Sequence, residues 1–370
     1  MTKTARAPKK VWQKILIAFA IFLVAILVIV GGYVAYVFIA YHRLGTFAVT
    51  AEGKAAADKV SLATDYTLVS YNIGFGAYES DYDFFMDGGK QSRAPSKERL
   101  DTNLKNIAAF LKNRNADFYF IQEVDFDSTR TYHVDERNYL NEALAGRSHI
   151  FAQNYDSPYL FYPIFCPHGA SKSGIMTYSP ATISSAERIE LPVESGVSKL
   201  LDLDRCYSKS CVATANGKEL VLYNFHLSAY TTDGKIATEQ LKLILNDMED
   251  EYKKGNYVVG GGDFNKDLLG DSSKYFWKSD KEYTWAQPIP EGTFDDYHVS
   301  LTAPLYAEGT QTPKPTCRNA DAPYREGHQF VVTLDGFLTS DNVTVVSDAV
   351  LNSEFAYSDH NAVTMTFRLD

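Results

Sequence analysis

The chain has 370 residues, 45% of them hydrophobic and 22% charged, with a formal net charge of −10. This is the balance of a folded globular protein rather than a disordered one, and the length allows one large domain or two small ones. An aromatic content of 14%, nearly all Tyr and Phe, favours a strand-rich core over a helical bundle.

In chain order, residues 1–14 form a basic tail with Lys3, Arg6, Lys9, Lys10 and Lys14. Residues 15–40 then hold no charge and consist mainly of Ile, Leu, Val, Ala and Phe. About 20 apolar residues cross the hydrocarbon layer as a helix, so this run is long enough for a transmembrane anchor. A cleaved signal peptide shares the basic start, but its apolar region is only about 7–15 residues. The basic flank keeps the N-terminus cytoplasmic and exports the remainder from a plasma membrane, one of bacterial type. Residues 1–43 carry six Lys or Arg and no acid, so the formal charge of −10 becomes −16 for the rest. No basic stripe for a polyanion is present there, which counts against avid nucleic-acid binding without excluding a nuclease that uses a divalent metal.

Residues 41–63 lack a strand pattern and are predicted as a stalk; residues 64–370 read as one exported domain. Short runs of strand formers lie at 66–73, 118–123, 174–178, 220–226, 257–260, 331–338 and 363–369. Leu100, Leu104, Ile107, Ala108 and Leu111 mark one helix, introduced by Pro95 and Ser96; Ala237, Leu241, Ile244, Leu245, Met248 and Tyr252 mark another, stopped by Gly255. Strands mixed with helices predict a layered α/β fold. Cys206 and Cys211 could close a short disulfide loop, with Cys166 and Cys317 beside them; the alternative is four free thiols, and no spacing suggests zinc.

Polar residues recur where these strands end: Asn72, then Glu123, His226, Asp263 with Asn265, Asp335, and Asp359 with His360. Any one of them reads most simply as a turn cap or a satisfied core residue. Together they matter more, because α/β sheets place their sites at strand C-termini. Glu123 and Asp359 offer hard oxygen donors suited to Mg²⁺ or Mn²⁺, with Ca²⁺ possible. No Gly-x-Ser-x-Gly or reactive-looking Cys segment supplies a nucleophile.

The order of these segments resembles the endonuclease/exonuclease/phosphatase superfamily, whose fold is that of deoxyribonuclease I. Gly262-Asp263-Phe264-Asn265 and Ser358-Asp359-His360 carry the resemblance most specifically, followed by Gln122-Glu123. It spans roughly residues 65–370. It implies a four-layer α/β sandwich, two packed mixed sheets between helical layers. It also implies a Mg²⁺-dependent phosphoester hydrolase in which activated water attacks phosphorus directly. Glu123 would be the principal metal ligand, with Asn72 and Asp359 near the metal. Asp263 would handle the water, Asn265 and His226 would donate to phosphate oxygens, and Asp335 would orient His360 beside the scissile phosphate. Arg318 could clamp a phosphate, as could Arg205 with a weaker claim, and the aromatic loop from Tyr78 to Phe85 could shape a pocket or merely pack. The substrate stays open between nucleic acid and a phospholipid head group, the latter by a sphingomyelinase-like or inositol-phosphatase-like activity. No apolar insertion hairpin stands out, which weighs against a sphingomyelinase. A silent membrane-tethered binding module is the alternative of another class, and no obligate protein partner is inferred.

Overall fold

The structure, a computed structural model, describes residues 10–194, 204–229, 234–277 and 286–370; most of the basic tail, residues 1–9, lies outside them. The chain divides into two compact units, residues 1–42 and 43–370. The first holds helix α1 (Val11–Ala40). It is 30 residues, so at 1.5 Å per residue it is roughly 45 Å long, and it is long and apolar enough to cross a membrane.

The second unit runs β1 (Phe47–Ala48), β2 (Asp65–Asn72), α2 (Lys97–Arg114), β3 (Phe118–Asp125), α3 (Arg137–Ala143), β4 (Ser148–Asp156), β5 (Lys172–Ser179), β6 (Ile183–Glu190), β7 (Cys206–Ala213), β8 (Glu219–His226), α4 (Lys235–Lys253), β9 (Tyr257–Asp263), β10 (Val299–Thr302), β11 (Cys317–Arg318), β12 (Val331–Val332), β13 (Asp335–Ser340), β14 (Val343–Leu351) and β15 (Ala362–Leu369). One sheet has seven strands in the order β1-β6-β7-β8-β9-β13-β10, and the other has six in the order β14-β15-β2-β3-β5-β4. Each is mixed and contains one parallel pair, β8 with β9 and β2 with β3.

Leu68, Phe118, Phe120 and Val363 of the six-stranded sheet meet Leu220, Leu222, Val259 and Phe337 of the other in the central core. Ile107 and Leu111 of α2 and Leu140 of α3 cover the outer face of the six-stranded sheet. Leu241, Ile244, Leu245 and Met248 of α4 cover that of the seven-stranded sheet. The result is the four-layer sandwich the sequence implies. Both predicted helices form as their apolar spacing requires, and Ser96 caps α2 by accepting from the Arg99 amide.

Two expectations change, and the choice left open for the cysteines falls to free thiols. The 331–338 run breaks into β12 and β13 because the Leu334 and Asp335 amides donate to Thr316 Oγ1 instead of a neighbouring strand. Of the segment 41–63, expected as a stalk, residues 43–63 belong to the domain unit: β1 pairs with β6, Glu52 exchanges backbone hydrogen bonds with His149, and Val60 is buried between the sheets. All four cysteines are free. Cys206 and Cys211 sit on the same strand, where five residues of extended chain separate them by about 16 Å.

Candidate active site

The C-terminal ends of β2, β3, β8 and β9 converge on one cavity of about 90 Å³. Glu123, His226, Asp263, Asn265, Arg318, Asp359 and His360 line it. A larger cavity of about 730 Å³ lies beside α2 and β14 and gathers none of these residues, so volume alone does not mark the chemistry.

Three of the side chains come from a single row across the seven-stranded sheet. His226 on β8 is the register partner of Asp263 on β9, and Asp263 is the partner of Asp335 on β13. The close approach depends on Gly262, whose φ is 147° and where a Cβ would lie 1.9 Å from the Phe225 carbonyl oxygen. Asp263 Oδ2 accepts from Asn72 Nδ2 at 3.1 Å and lies 3.5 Å from His226 Nε2 and 3.6 Å from His360 Nε2. His360 Nδ1 donates to Asp335 Oδ2 at 2.8 Å. Asn265, in the left-handed region at φ 48°, donates its amide to Asp263 Oδ1 and its side-chain nitrogen to the Leu227 carbonyl.

The six-stranded sheet supplies its residues by departing from regular strand geometry. A register shift in the β3–β5 pairing falls between Ile121 and Val124, and within it Glu123 adopts φ 56°. This bulge takes Glu123 out of the alternating pleat, so its carboxylate accepts from Asn72 Nδ2 at 3.1 Å. Asp359 and His360 follow a turn in which Glu354 and Phe355 both have positive φ. That turn is pinned by Ser358, whose hydroxyl donates to the Asn72 carbonyl at 2.8 Å.

Burial sets the charges. It would lower the His360 pKa, but Asp335, Cys317 and Asp263 outweigh it and hold this imidazole well above its ordinary range. Burial pushes His226 well below its range, helped by Arg205 and His360, so His226 is neutral. Burial raises Asp263 to about 6, with Asp335 adding to the rise and His360 and two hydrogen bonds opposing it. It raises Asp359 to about 7, with Glu123 and Asp87 adding to the rise and His360 and Arg318 opposing it.

A divalent cation fits this donor set. Glu123 and Asp359 are hard oxygen donors whose mutual repulsion helps hold Asp359 towards its neutral form, a strain that a nearby cation relieves. Asp335 Oδ1 and His226 Nδ1 are buried with no hydrogen-bond partner among the described residues, so each leaves polar capacity for a ligand. Among the described residues, Asp263, Asp335 and His360 also bring donor atoms within 4.8 Å of one another. An imidazolium hydrogen-bonded to one carboxylate and facing another already supplies the positive charge there, which leaves the Glu123 side for a metal.

Arg318 reaches the cavity wall, but its guanidinium donates to the Glu79 carbonyl at 3.1 Å and, at longer range, to those of Tyr78 and Tyr82. That nitrogen ties down the aromatic loop, while the buried Nε of Arg318 has no hydrogen-bond partner among the described residues. Arg205 donates to the His226 carbonyl at 3.3 Å. In the loop from Tyr78 to Phe85, Tyr78, Tyr82 and Phe84 pack with Phe75 in their own cluster, and Tyr78 also lines the cavity together with Asp87. Sequence reasoning named Ser358 and Gln122 only as parts of motifs and overlooked Thr316 and Asn224; Gln122 donates to Asn224 across the sheets at 2.8 Å. The signal for that pair was their position one and two residues before Glu123 and His226.

A profile of the Endonuclease/Exonuclease/phosphatase family matches residues 69–360. Among solved structures, an endonuclease/exonuclease/phosphatase from Beutenbergia cavernae is similar at 18% identity and TM-score 0.54, covering 82% of this chain and 72% of that one. ANGEL2, a 2',3'-cyclic phosphatase solved with adenosine-2',3'-vanadate, is similar at 16% identity and TM-score 0.54, covering 87% and 98%. An endonuclease/exonuclease/phosphatase from Bacteroides vulgatus follows at 14% and TM-score 0.50, covering 83% and 100%. Comparison with curated protein sequences found no match.

Proposed function

Because the chain belongs to the endonuclease/exonuclease/phosphatase family, we propose that this phosphoester hydrolase is metal-dependent, attacks phosphorus directly with water, and works on the outer side of a plasma membrane. The observation that carries this reading is the convergence on Asp263 Oδ2 of His226, His360 and Asn72, all within 3.6 Å. A carboxylate so placed can accept a proton from water as the water adds to phosphorus and the ester P–O bond breaks. The His360 imidazolium, oriented by Asp335, faces the growing negative charge on the phosphate, and His226 and Asn265 are donors to its other oxygens. Glu123, Asp359 and Asn72 would hold Mg²⁺, with Mn²⁺ or Ca²⁺ as alternatives, and the ion would supply Lewis-acid charge to phosphate oxygens. Arg318 would serve by fixing the loop that carries Tyr78 and Asp87. The basic tail before α1 supports a cytoplasmic N-terminus and an external domain.

The vanadate complex of ANGEL2 supports a nucleotide-type phosphodiester as one substrate class. A phospholipid head group is the other, because α1 is long and apolar enough to tether the domain to a bilayer. The test is hydrolysis of bis-p-nitrophenyl phosphate by the full chain in phosphatidylcholine nanodiscs, with Mg²⁺ and with EDTA, followed by plasmid DNA, RNA, sphingomyelin and inositol phosphates. Metal-dependent turnover that disappears in His360→Ala is expected. No turnover on any of these, or full activity in His360→Ala, overturns the reading and leaves a silent binding module.

A further inference from the structure

Between Asp156 and Lys172 the chain contains no Asp, Glu, Lys or Arg. The structure turns this stretch outward. Phe161, Tyr162, Ile164 and Phe165 are exposed, Ile164 by 77% and Phe165 completely. A soluble surface rarely leaves so large an apolar group uncovered without a partner.

The loop is held, not loose. Leu160 and Gly169 exchange backbone hydrogen bonds at its base. Ser92 Oγ donates to the Cys166 carbonyl and Arg93 Nε to the Pro167 carbonyl, both at 2.5 Å. The backbone is therefore anchored while the apolar side chains at the tip face outward.

Its position is specific. Tyr162 packs on Phe85, Phe85 on Phe84, and Phe84 on Tyr78, which lines the catalytic cavity. Met86, beside Phe85, is half exposed as well. On the other side, Asp156, the last residue before the loop, donates its amide to Asp204, and Asp204 lies 3.9 Å from Arg43, the first residue of the domain unit. The loop, the cavity rim and the point where the chain joins the domain thus share one end of the sandwich.

We propose that residues 159–166 are a docking element that enters the interfacial layer of a lipid bilayer beside the active-site mouth. A bilayer, rather than a protein, is the occupant favoured by the membrane-length helix α1 on the same chain and by the mixture of Tyr, Phe and Ile that suits the boundary between head groups and acyl chains. The lack of Lys and Arg in the loop makes docking apolar, so it is insensitive to salt and needs no anionic lipid. A site seated this way meets phosphates presented by head groups. The proposal takes from the function above only the tether, and its test reads bilayer contact instead of turnover, so the two fail separately.

Cys166 provides the probe. Cys206 and Cys317 are buried, and Cys211→Ser removes the other accessible thiol. The full chain, labelled at Cys166 with an environment-sensitive fluorophore, is placed in phosphatidylcholine nanodiscs with and without doxyl-labelled lipid. Strong quenching by doxyl lipid, unchanged in high salt, is expected, with a several-fold loss of quenching in Phe161→Asp/Ile164→Asp/Phe165→Asp. A label that iodide reaches and doxyl lipid does not quench overturns the proposal, and so does quenching that survives the triple change. A label shielded from both quenchers points to a protein occupant, such as a second copy, and also overturns it. Thermal unfolding checks that the triple variant is folded; if it is not, Phe165→Ser, at a side chain that touches water on all sides, replaces it.

Discussion

Each sheet holds one parallel pair, and both pairs run their C-terminal ends into the same cavity. They deliver side chains differently. The seven-stranded sheet places His226, Asp263 and Asp335 in one register row, so ladder hydrogen bonds fix their spacing. The six-stranded sheet delivers Glu123 through a bulge at positive φ, and Asp359 and His360 through an irregular turn before β15. Residues that move protons need fixed separations, which a ladder provides; residues that gather around an ion need convergent directions, which a flat pleat does not provide. On the reading proposed above, this makes the first the acid–base half and the second the metal half, with His360 joined to the first through Asp335.

The sharpest way to break this division is to remove one member of each half. Asp263→Asn or His360→Ala is expected to lower kcat by about 10³–10⁴-fold, with the Mg²⁺ requirement little changed. Glu123→Gln is expected to raise the Mg²⁺ concentration for half-maximal activity by on the order of 100-fold. If the metal titration moves instead with Asp263→Asn and not with Glu123→Gln, the assignment of the halves is wrong. Gly262→Ala tests the row mechanically: its Cβ would collide with the Phe225 carbonyl, so a stability loss of about 3 kcal/mol in urea unfolding is expected. A neutral outcome would show that the row is less constrained than its geometry implies.

The smallest effect concerns how α4 is fastened to this sheet. Glu251 accepts from Lys209 of β7 at 2.7 Å, from Lys254 at 2.8 Å and from Asn256 at 2.8 Å. Burial raises its pKa, but these partners outweigh that and hold it at about 2. A carboxyl depressed on folding stabilises the protein above its unfolded value of roughly 4.5, and that contribution fades as pH falls towards 2. Glu251→Gln should therefore be less stable than the parent at neutral pH, with the gap closing on acidification. A gap that stays constant across that range would exclude the linkage.

Much of the fold was legible because periodicity follows burial. β3 and β8 bury nearly continuous apolar runs, β15 alternates buried apolar residues with half-buried Thr and Arg, β2 buries its C-terminal half, and α2 and α4 show clear stripes. β6 and β7 were not legible: Arg188 is fully buried on β6, and Ser208 and Ser210 are buried on β7, so polar residues fill positions where a pattern needs apolar ones. Among the site residues, chemistry at strand ends was enough to name the members of the cluster. It could not show that Arg318 donates to backbone carbonyls of the aromatic loop, since that depends on a segment some 240 residues earlier in the chain. Nor could it find the loop at 159–166, because an apolar run looks the same in sequence whether it faces the core or the solvent.

The segment 43–63 has a practical consequence for making the enzyme. It lies along β6, reaches across to His149 and Ala213, and leaves Val60 between the sheets before β2 begins. A soluble version cut at Thr64 would uncover the edge of β6, an invitation to aggregate through strand pairing, and would open a hole at the base of the core. A version that begins at Arg43 keeps that edge covered.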